Sequence, residues 1–180
     1  MDAQTALGRI VELTPRRAYV LVGIGGHGGS GKSTLARAVP EASVIGTDEF
    51  WDGAKFELSR LRGEVFDPLL AGRPARFASF DWEHQEPRGA RVVEPTGTII
   101  VEGVCALHRI FRDAYDLRIW VEAPHDVRLA RGVARDGEQA RETWEQIWMP
   151  GEDRYVERDD PISAADLIVD GTSGIPERAL

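Results

Sequence analysis

The sequence has few or none of the residues that several large protein classes depend on. It has one cysteine, Cys105, so no intramolecular disulfide can form and nothing indicates an oxidising compartment. It has no asparagine, which excludes the Asn-Lys-x-Asp motif that reads guanine in GTPase switches. No apolar run approaches the roughly 20 residues that span a bilayer, and residues 1–13 lack the pattern of a signal peptide. We therefore expect a cytoplasmic protein with no membrane partner.

Positive charge is also scarce, because the formal net charge is −8 and lysine occurs only at Lys32 and Lys55. An acidic surface argues against general binding to nucleic acid or to membrane surfaces, since both need basic patches that meet phosphates. An anionic ligand would need a local positive site. The length of 180 residues favours a single domain covering residues 1–180. The sequence leaves open whether the protein forms a homo-oligomer.

Apolar periodicity predicts strands that alternate with helices. Buried strands are expected at residues 18–24 and 97–104, further strands at residues 116–123 and 165–171, and a short strand that runs into a loop at residues 43–51. Helices are expected at residues 3–11, 32–39, 58–69, 107–115 and 126–148, the last with a break near Gly137. This alternation is typical of an α/β fold in which helices cover both faces of a parallel sheet.

A glycine-rich stretch between the first strand and the second helix carries the strongest motif. Gly26 to Ser33 fit the pattern Gly-x4-Gly-Lys-Ser/Thr, with a strand before it and a helix after it. Glycine allows the backbone to turn its N–H groups around an anion, and the helix start adds a positive dipole end. We expect Lys32 to reach the β- and γ-phosphates of a nucleotide and Ser33 to bind Mg²⁺. The alternative is a glycine-rich turn without a ligand.

Two acidic residues follow apolar strands, at the edge where parallel sheets bind ligands. Asp48 follows the strand that contains Ser43 to Gly46, and Glu102 ends the strand that begins near Gly97. A small-molecule kinase needs such groups to orient the acceptor hydroxyl and to bind Mg²⁺. The alternatives are a turn or cap residue for Asp48 and a structural salt bridge for Glu102.

Arginines form a second candidate group. Arg128, Arg131 and Arg135 are spaced by three and four residues and share one helix face, and Arg141 follows the break. In an acidic protein they could close over phosphates as a lid, which we define as residues 128–150. The alternative is a solvated face paired with nearby carboxylates.

Together, these motifs resemble the uridine kinase family of P-loop nucleoside kinases, from about Tyr19 to Gly171. The stretches "TDEFW", "LLAGRPARFASFDW", "IIVEGV", "RLARGVARD" and "ADLIVDG" occur in the family's order. The resemblance implies a P-loop NTPase three-layer sandwich with a parallel sheet and a helical lid. It also implies that Asp48 is the base toward a 5′-hydroxyl and that the segment of Phe80 to Trp82 holds the acceptor.

The resemblance has departures on the acceptor side. Trp51 and Phe80 lack the hydroxyl of the family's tyrosines, and Gly132 replaces the second of the paired lid arginines. The acidic residue that binds ribose has no clean counterpart, although Asp52 and Glu57 are candidates. The acceptor's identity is therefore predicted less well than the phosphate site.

The expected function is ATP- and Mg²⁺-dependent phosphorylation of a small-molecule hydroxyl, with uridine or cytidine as first acceptor. The alternatives are another hydroxyl compound, a nucleoside monophosphate, or a non-catalytic nucleotide-binding regulator. The expected catalytic residues are Lys32, Asp48, Arg131 and Arg135, and the metal ligands are Ser33 and Glu102. The nucleotide-binding residues are Gly26, His27, Gly28, Gly29, Ser30, Gly31, Lys32, Ser33, Thr34 and Arg128. The acceptor-binding residues are Asp48, Trp51, Asp81, His84, Arg88 and Arg141.

Overall fold

A computed structural model describes residues 1–13, 15, 17–53, 55–81, 84 and 86–174, with the side chain of residue 88 excepted. Its strands are β1 (Tyr19–Gly26), β2 (Ser43–Gly46), β3 (Ala75–Asp81), β4 (Glu86–Val93), β5 (Gly97–Glu102), β6 (Leu117–Glu122) and β7 (Leu167–Asp170). Its α-helices are α1 (Ala3–Val11), α2 (Lys32–Ala38), α3 (Leu58–Leu61), α4 (Asp67–Leu70), α5 (His125–Asp136), α6 (Arg141–Thr143) and α7 (Met149–Asp159).

Five strands form one parallel sheet, in the order β2-β5-β1-β6-β7. β1 lies at the centre, where Val22 pairs with Ile100 of β5 and Ile24 pairs with Ile119 of β6. All eight residues of β1 are buried, as expected for a strand covered on both faces. The expected α/β fold with a parallel sheet is confirmed.

The two faces of the sheet are covered by separate hydrophobic clusters, because successive side chains of a strand point to opposite faces. Val22 and Ile24 of β1 belong to one cluster, with Ile10 of α1 and Leu35 of α2. Leu21 belongs to the other cluster, on the opposite face. That cluster also contains Phe50, Leu61, Phe66, Leu69, Phe77, Phe111, Tyr115 and Trp120. Apolar side chains thus cover both faces of the sheet.

An antiparallel hairpin of β3 and β4 stands outside this sheet, and the sequence pattern does not predict it. A register shift between Phe77 and Ser79 explains why. Phe77 and Phe80 are both buried although three positions separate them, so the alternation that identifies a strand is broken. The hairpin matters for the site because β3 leads to Asp81 and β4 carries Arg91.

The helix predicted for residues 107–115 is wrong, since only Arg112–Ala114 forms a short 3₁₀ helix there. Leu107 and Phe111 are buried four residues apart, which imitates a helix face. Side chains take the carbonyls that an α-helix would use. The Tyr115 hydroxyl donates to Ala106 O at 2.7 Å and Arg112 Nε donates to Leu107 O at 2.9 Å.

The other predicted helices are present, two of them with irregular turns. A π-helical turn, Arg62–Phe66, joins α3 to α4. The helix after Gly137 begins as the 3₁₀ turn Glu138–Ala140 and includes a second π-helical turn, Trp144–Trp148, before α7. Such turns move the side chains that follow to a different face, which sequence spacing does not reveal.

Phe66 allows a test of the core beneath the acceptor side. Its ring is fully buried and stacks on Phe111 with centroids 4.5 Å apart. Phe66→Ala should lower the free energy of unfolding by about 3–5 kcal/mol, since it leaves a cavity. Leu70→Ala on α4 is the control, because Leu70 is 42% exposed and should cost far less. Urea denaturation measures both, and equal losses would contradict this packing.

Candidate active site

The glycine loop lies between β1 and α2, as the motif predicts. Gly31 precedes α2 with a φ of 105°, and Gly29 has a φ of 74°, both in the left-handed region that favours glycine. A side chain at Gly29 would also meet the backbone, because its Cβ would lie 2.4 Å from Arg128 O. The loop therefore packs directly against the first turns of α5. Ser30 is buried, and its hydroxyl has no hydrogen-bond partner in the described part of the chain.

Lys32 turns back over this loop and is only 7% exposed. Its ammonium donates to His27 O at 2.8 Å. Burial lowers the pKa of Lys32, while the negative charges of Glu102 and Glu152 oppose that shift. A nearly enclosed cation with one hydrogen bond to a carbonyl has two further donors for a ligand.

Ser33 and Glu102 form the pair predicted to bind metal. Ser33 Oγ donates to Glu102 Oε1 at 2.8 Å, which joins the first turn of α2 to the end of β5. Burial raises the pKa of Glu102, and the charge of Lys32 and the hydrogen bond from Ser33 oppose that shift. The pair offers a hydroxyl and a carboxylate oxygen at one point, the hard ligands that Mg²⁺ prefers.

Asp48 lies in a 3₁₀ turn, Thr47–Phe50, that follows β2. The side chain of its neighbour Glu49 holds this turn, because Glu49 Oε1 accepts from the Gly46 N–H at 2.9 Å and from Arg91 of β4. Arg91 also donates to Val44 O at 2.9 Å, so the hairpin fixes the turn from outside. Burial by the surrounding protein raises the pKa of Asp48, and the charge of Glu49 adds to it, although the residue keeps an exposed surface toward solvent.

Arg128 is the most enclosed of the candidate arginines, at 6% exposed. Its Nε and Nη1 have no hydrogen-bond partner among the described residues. Arg131 is exposed, and its Nη1 donates to Gly29 O at 3.2 Å and to Gly171 O at 3.0 Å. Both arginines thus lie at the glycine loop, Arg128 with free donors and Arg131 as a link between the loop and the segment after β7.

Arg135 and Arg141 make other contacts. The Arg135 guanidinium donates to Asp136 at 2.7 and 2.9 Å and lies over the Trp144 ring. The hydrogen bond to Asp136 contributes most to raising the pKa of Arg135, with smaller effects from Asp48 and Glu152. Arg135 therefore lies within electrostatic range of Asp48. Arg141 pairs with Glu138 and Glu145 instead, and among the described residues no contact joins it to another candidate residue.

The predicted acceptor residues fall into two local groups. Asp81 accepts from the His84 N–H at 3.1 Å and approaches His84 Nδ1 at 2.9 Å, at the tip of the β3–β4 hairpin. Trp51 packs edge-on against Phe56, with ring centroids 5.0 Å apart. Trp82 lies outside the described residues, as does the side chain of Arg88.

The two ribose candidates differ in their surroundings. Asp52 accepts from the Lys55 N–H at 2.8 Å, so its side chain stabilises the neighbouring backbone. Glu57 precedes α3, and its backbone N–H donates to Phe50 O at 2.8 Å. These contacts do not favour either residue for binding a ribose.

Sequence reasoning misses Glu152, Glu49 and Arg91 of the site, and for Trp144 it favours ordinary packing of the lid helix on the core. Glu152 reaches the loop from α7, Glu49 and Arg91 fix the Asp48 turn, and Trp144 fills the space beside Gly132. Of these residues only Glu49 lies in a motif, the stretch "TDEFW", and the motif gives it no role. For Trp144 a signal exists, because Gly132 replaces the family's second lid arginine and a large side chain must occupy the space that it leaves.

The structure also bears on metal and membrane expectations. The described residues contain no group of three or more His, Cys, Asp and Glu side chains that could hold a metal ion. Mg²⁺ in kinases generally needs only one or two protein ligands, with phosphates and waters supplying the rest. Every helix in the described ranges is too short or too polar to cross a membrane.

Known proteins share the motifs and the fold. A Halobacterium salinarum protein named uridine kinase is 33% identical over 139 residues, which cover 64% of this chain and 61% of that protein. A Streptococcus pneumoniae uridine kinase is 29% identical over 144 residues, covering 67% and 68% respectively. A solved chain from Bacillus stearothermophilus, described as a possible uridine kinase, superposes with a TM-score of 0.72 at 18% identity, covering 93% of this chain and 97% of that one. No protein-family model matches the sequence.

These comparisons confirm the resemblance that the motifs predict. Both curated relatives have the predicted name, and the solved chain shares the α/β fold. The chain spans less than two thirds of the Halobacterium relative's length, at 61%. The reaction and the acceptor therefore have to be argued from this chain's own residues.

Gly132 tests how Trp144 packs on α5 within the lid. A Cβ there would lie 2.4 Å from Trp144 Cε2, and Trp144 is only 2% exposed. Gly132→Ala should therefore lower the free energy of unfolding by about 1–3 kcal/mol, despite alanine's better helix propensity. Gly8→Ala is the matched control, because nothing lies within 4 Å of a Cβ at that helical position. It should stabilise by roughly 0.5–1 kcal/mol.

Thermal and urea unfolding of the two glycine variants measure this difference. A Gly132→Ala protein as stable as Gly8→Ala would contradict the packing of Trp144 on α5.

Proposed function

We propose that this chain, a relative of the uridine kinases with a P-loop kinase fold, transfers the γ-phosphoryl group of ATP to a hydroxyl of a small molecule. The 5′-hydroxyl of a pyrimidine nucleoside, uridine or cytidine, is the proposed acceptor. The names of the curated relatives support this choice, as does the order of the acceptor-side motifs along the chain.

The main support for the proposal is that a metal-binding pair and an acidic residue both lie near the buried Lys32 ammonium. The negative charges of Glu102 and Asp48, from the ends of two different strands, both act on the buried Lys32 ammonium. Glu102 also accepts from Ser33 at the start of α2. A phosphate-binding lysine, a metal-binding pair and a carboxylate toward the acceptor are the parts that phosphoryl transfer requires in one place.

The loop residues fit a nucleotide. The buried donors of Arg128 and the buried Ser30 hydroxyl have no partner among the described residues, which a bound polyphosphate would remedy. Gly29 and Gly31 keep side chains out of the cradle. When bound, Mg²⁺ supplies positive charge to the β- and γ-phosphates, and Ser33 and Glu102 are the residues that would hold it.

The residues divide the reaction between them. Asp48 orients the acceptor hydroxyl and accepts its proton as the oxygen attacks the γ-phosphorus and ADP leaves. Lys32 and Arg128 balance the charge of the phosphates, and Arg131 fixes the loop against the residue that follows β7. Arg135 moves from Asp136 toward the transferring group when the lid closes.

The acceptor side offers both aromatic and polar groups. Trp51 follows the Asp48 turn and packs against Phe56, and Asp81 contacts His84 at the hairpin tip. Another small hydroxyl compound remains the alternative, because Trp51 and Phe80 lack the hydroxyl of the family's tyrosines. Measuring ADP release with a panel of acceptors distinguishes these alternatives, and the panel includes a nucleoside monophosphate.

Asp48→Asn tests the transfer step. It should lower the rate of ADP release with uridine or cytidine by at least about a hundredfold, since it removes the proton acceptor. ATP binding, followed by calorimetry, should change little. Asp67→Asn is the control, because Asp67 pairs with Arg62 on the surface. Retained turnover in the Asp48→Asn variant would remove Asp48 as the base.

Lys32→Ala separates the loop from the acceptor. It should weaken ATP binding and turnover together, because it removes the buried cation of the phosphate site. A variant that bound and turned over ATP normally would refute the phosphate-binding role of the loop. ATP binding without stimulation by any acceptor in the wild type would instead favour a regulatory nucleotide-binding protein.

Glu102→Gln tests the metal site. Removing the charge should raise the Mg²⁺ concentration that gives half-maximal ADP release, because a neutral amide is a poorer ligand than a carboxylate. Saturating Mg²⁺ should recover part of the rate. A magnesium titration of wild type and variant measures this, and an unchanged midpoint would exclude Glu102 from the metal site.

A further inference from the structure

The glycine loop already has an anion, and it comes from the protein itself. Glu152, in the first turn of α7, reaches across to the loop, where its Oε2 accepts from the Gly28 N–H at 2.9 Å. These residues are 124 positions apart in the sequence. Neither the motif pattern nor the family resemblance assigns this carboxylate a role.

The surroundings of Glu152 are those of a bound phosphate. Its side chain is 13% exposed and lies 4.0 Å from Arg128 Nη1. Burial is the largest effect on the pKa of Glu152 and raises it, while the Gly28 hydrogen bond and the charges of Lys32 and Arg128 oppose that shift. Asp153 beside it faces His27, with 3.4 Å between Oδ1 and Nε2.

Glu152 does not use all the donors around it. At 4.0 Å its contact with Arg128 is an ion pair without a hydrogen bond, and Nε and Nη1 of Arg128 have no partner in the described part of the chain. Arg128 is 6% exposed, so water does not readily replace the missing partner. A group with more oxygens than one carboxylate would satisfy this corner better.

We infer that Glu152 sets the nucleotide affinity of the loop, because it occupies the Gly28 amide as an internal substitute for a phosphate oxygen and the incoming nucleotide displaces it. The inference rests on the proposed function only in that it requires the loop to bind a nucleotide. It makes Glu152 an affinity-determining residue of the nucleotide site.

Two physical effects of Glu152 weaken nucleotide binding. A carboxylate next to the loop repels the negative charge of the nucleotide, and the nucleotide must also break the bond to Gly28 before it occupies that amide. The internal anion also has a benefit, because it compensates Lys32 and Arg128 when no nucleotide is present. Glu152 thus lowers the affinity for nucleotide and stabilises the loop when no nucleotide is bound.

Glu152→Gln separates charge from shape, since glutamine keeps the carbonyl that accepts from Gly28 and loses the negative charge. The variant should bind ATP roughly tenfold more tightly, equivalent to about 1.4 kcal/mol. The difference in ATP affinity between the variant and the wild type should become smaller at high salt, where charges are screened. Glu157→Gln is the matched control, because it makes the same charge change at an exposed position on α7.

Calorimetric titration of ATP into the wild type and both variants measures this, with the melting temperature of each protein without nucleotide as a second readout. Glu152→Gln should also lower that melting temperature relative to Glu157→Gln, since Arg128 loses its ion-pair partner and Lys32 loses one of its counter-charges. Should the variant fail to fold, Glu152→Asp withdraws the carboxylate by one methylene and should tighten ATP binding in the same direction.

An ATP affinity of Glu152→Gln equal to or weaker than that of Glu157→Gln would overturn the inference and leave Glu152 as a structural residue. Tighter ATP binding without phosphorylation of any acceptor would support the inference and overturn the kinase function. If none of the proteins bound ATP, both would be wrong.

Discussion

The site depends on one constraint, which is the burial of the Lys32 ammonium against the glycine loop. A cation enclosed by protein is costly unless opposite charges and hydrogen bonds surround it. His27 O accepts from it, and Glu102, Glu152 and Asp48 act on it from three different elements. Because Glu102 ends β5, Asp48 lies in the turn after β2 and Glu152 lies on α7, Lys32 links the sheet edge, the loop and α7 electrostatically.

The same charges explain how the site can exist in two states. Without nucleotide, Glu152 compensates the loop and Arg135 is held by Asp136 and the Trp144 ring. A bound polyphosphate competes with both carboxylates for the same cations. Arg135 therefore has a carboxylate partner that it can exchange for a phosphate, and so has Arg128, whose ion pair with Glu152 leaves Nε and Nη1 without a hydrogen bond among the described residues. An acidic protein can concentrate positive potential in one crevice in this way without a basic surface.

The glycine loop and the strands of the sheet could be predicted from the sequence, because short stretches of residues determine them. The loop from Gly26 to Ser33 has a backbone geometry that only such a sequence permits, and the sheet strands are apolar on both faces. The hairpin was missed because a bulge between Phe77 and Ser79 breaks its alternation. The helix at residues 107–115 was wrong because Tyr115 and Arg112 side chains take its carbonyls. The role of Glu152 could not be predicted from the sequence. It lies 124 positions from Gly28 along the chain, and only tertiary packing brings the two residues together.

The most direct test of this account is a crystal structure with Mg²⁺, a non-hydrolysable ATP analogue and cytidine. The account predicts phosphates enclosed by the loop amides and Lys32, Mg²⁺ bound at Ser33 and Glu102, and the acceptor hydroxyl within about 3 Å of Asp48. Phosphates bound away from Lys32, or an acceptor hydroxyl out of reach of Asp48, would contradict it.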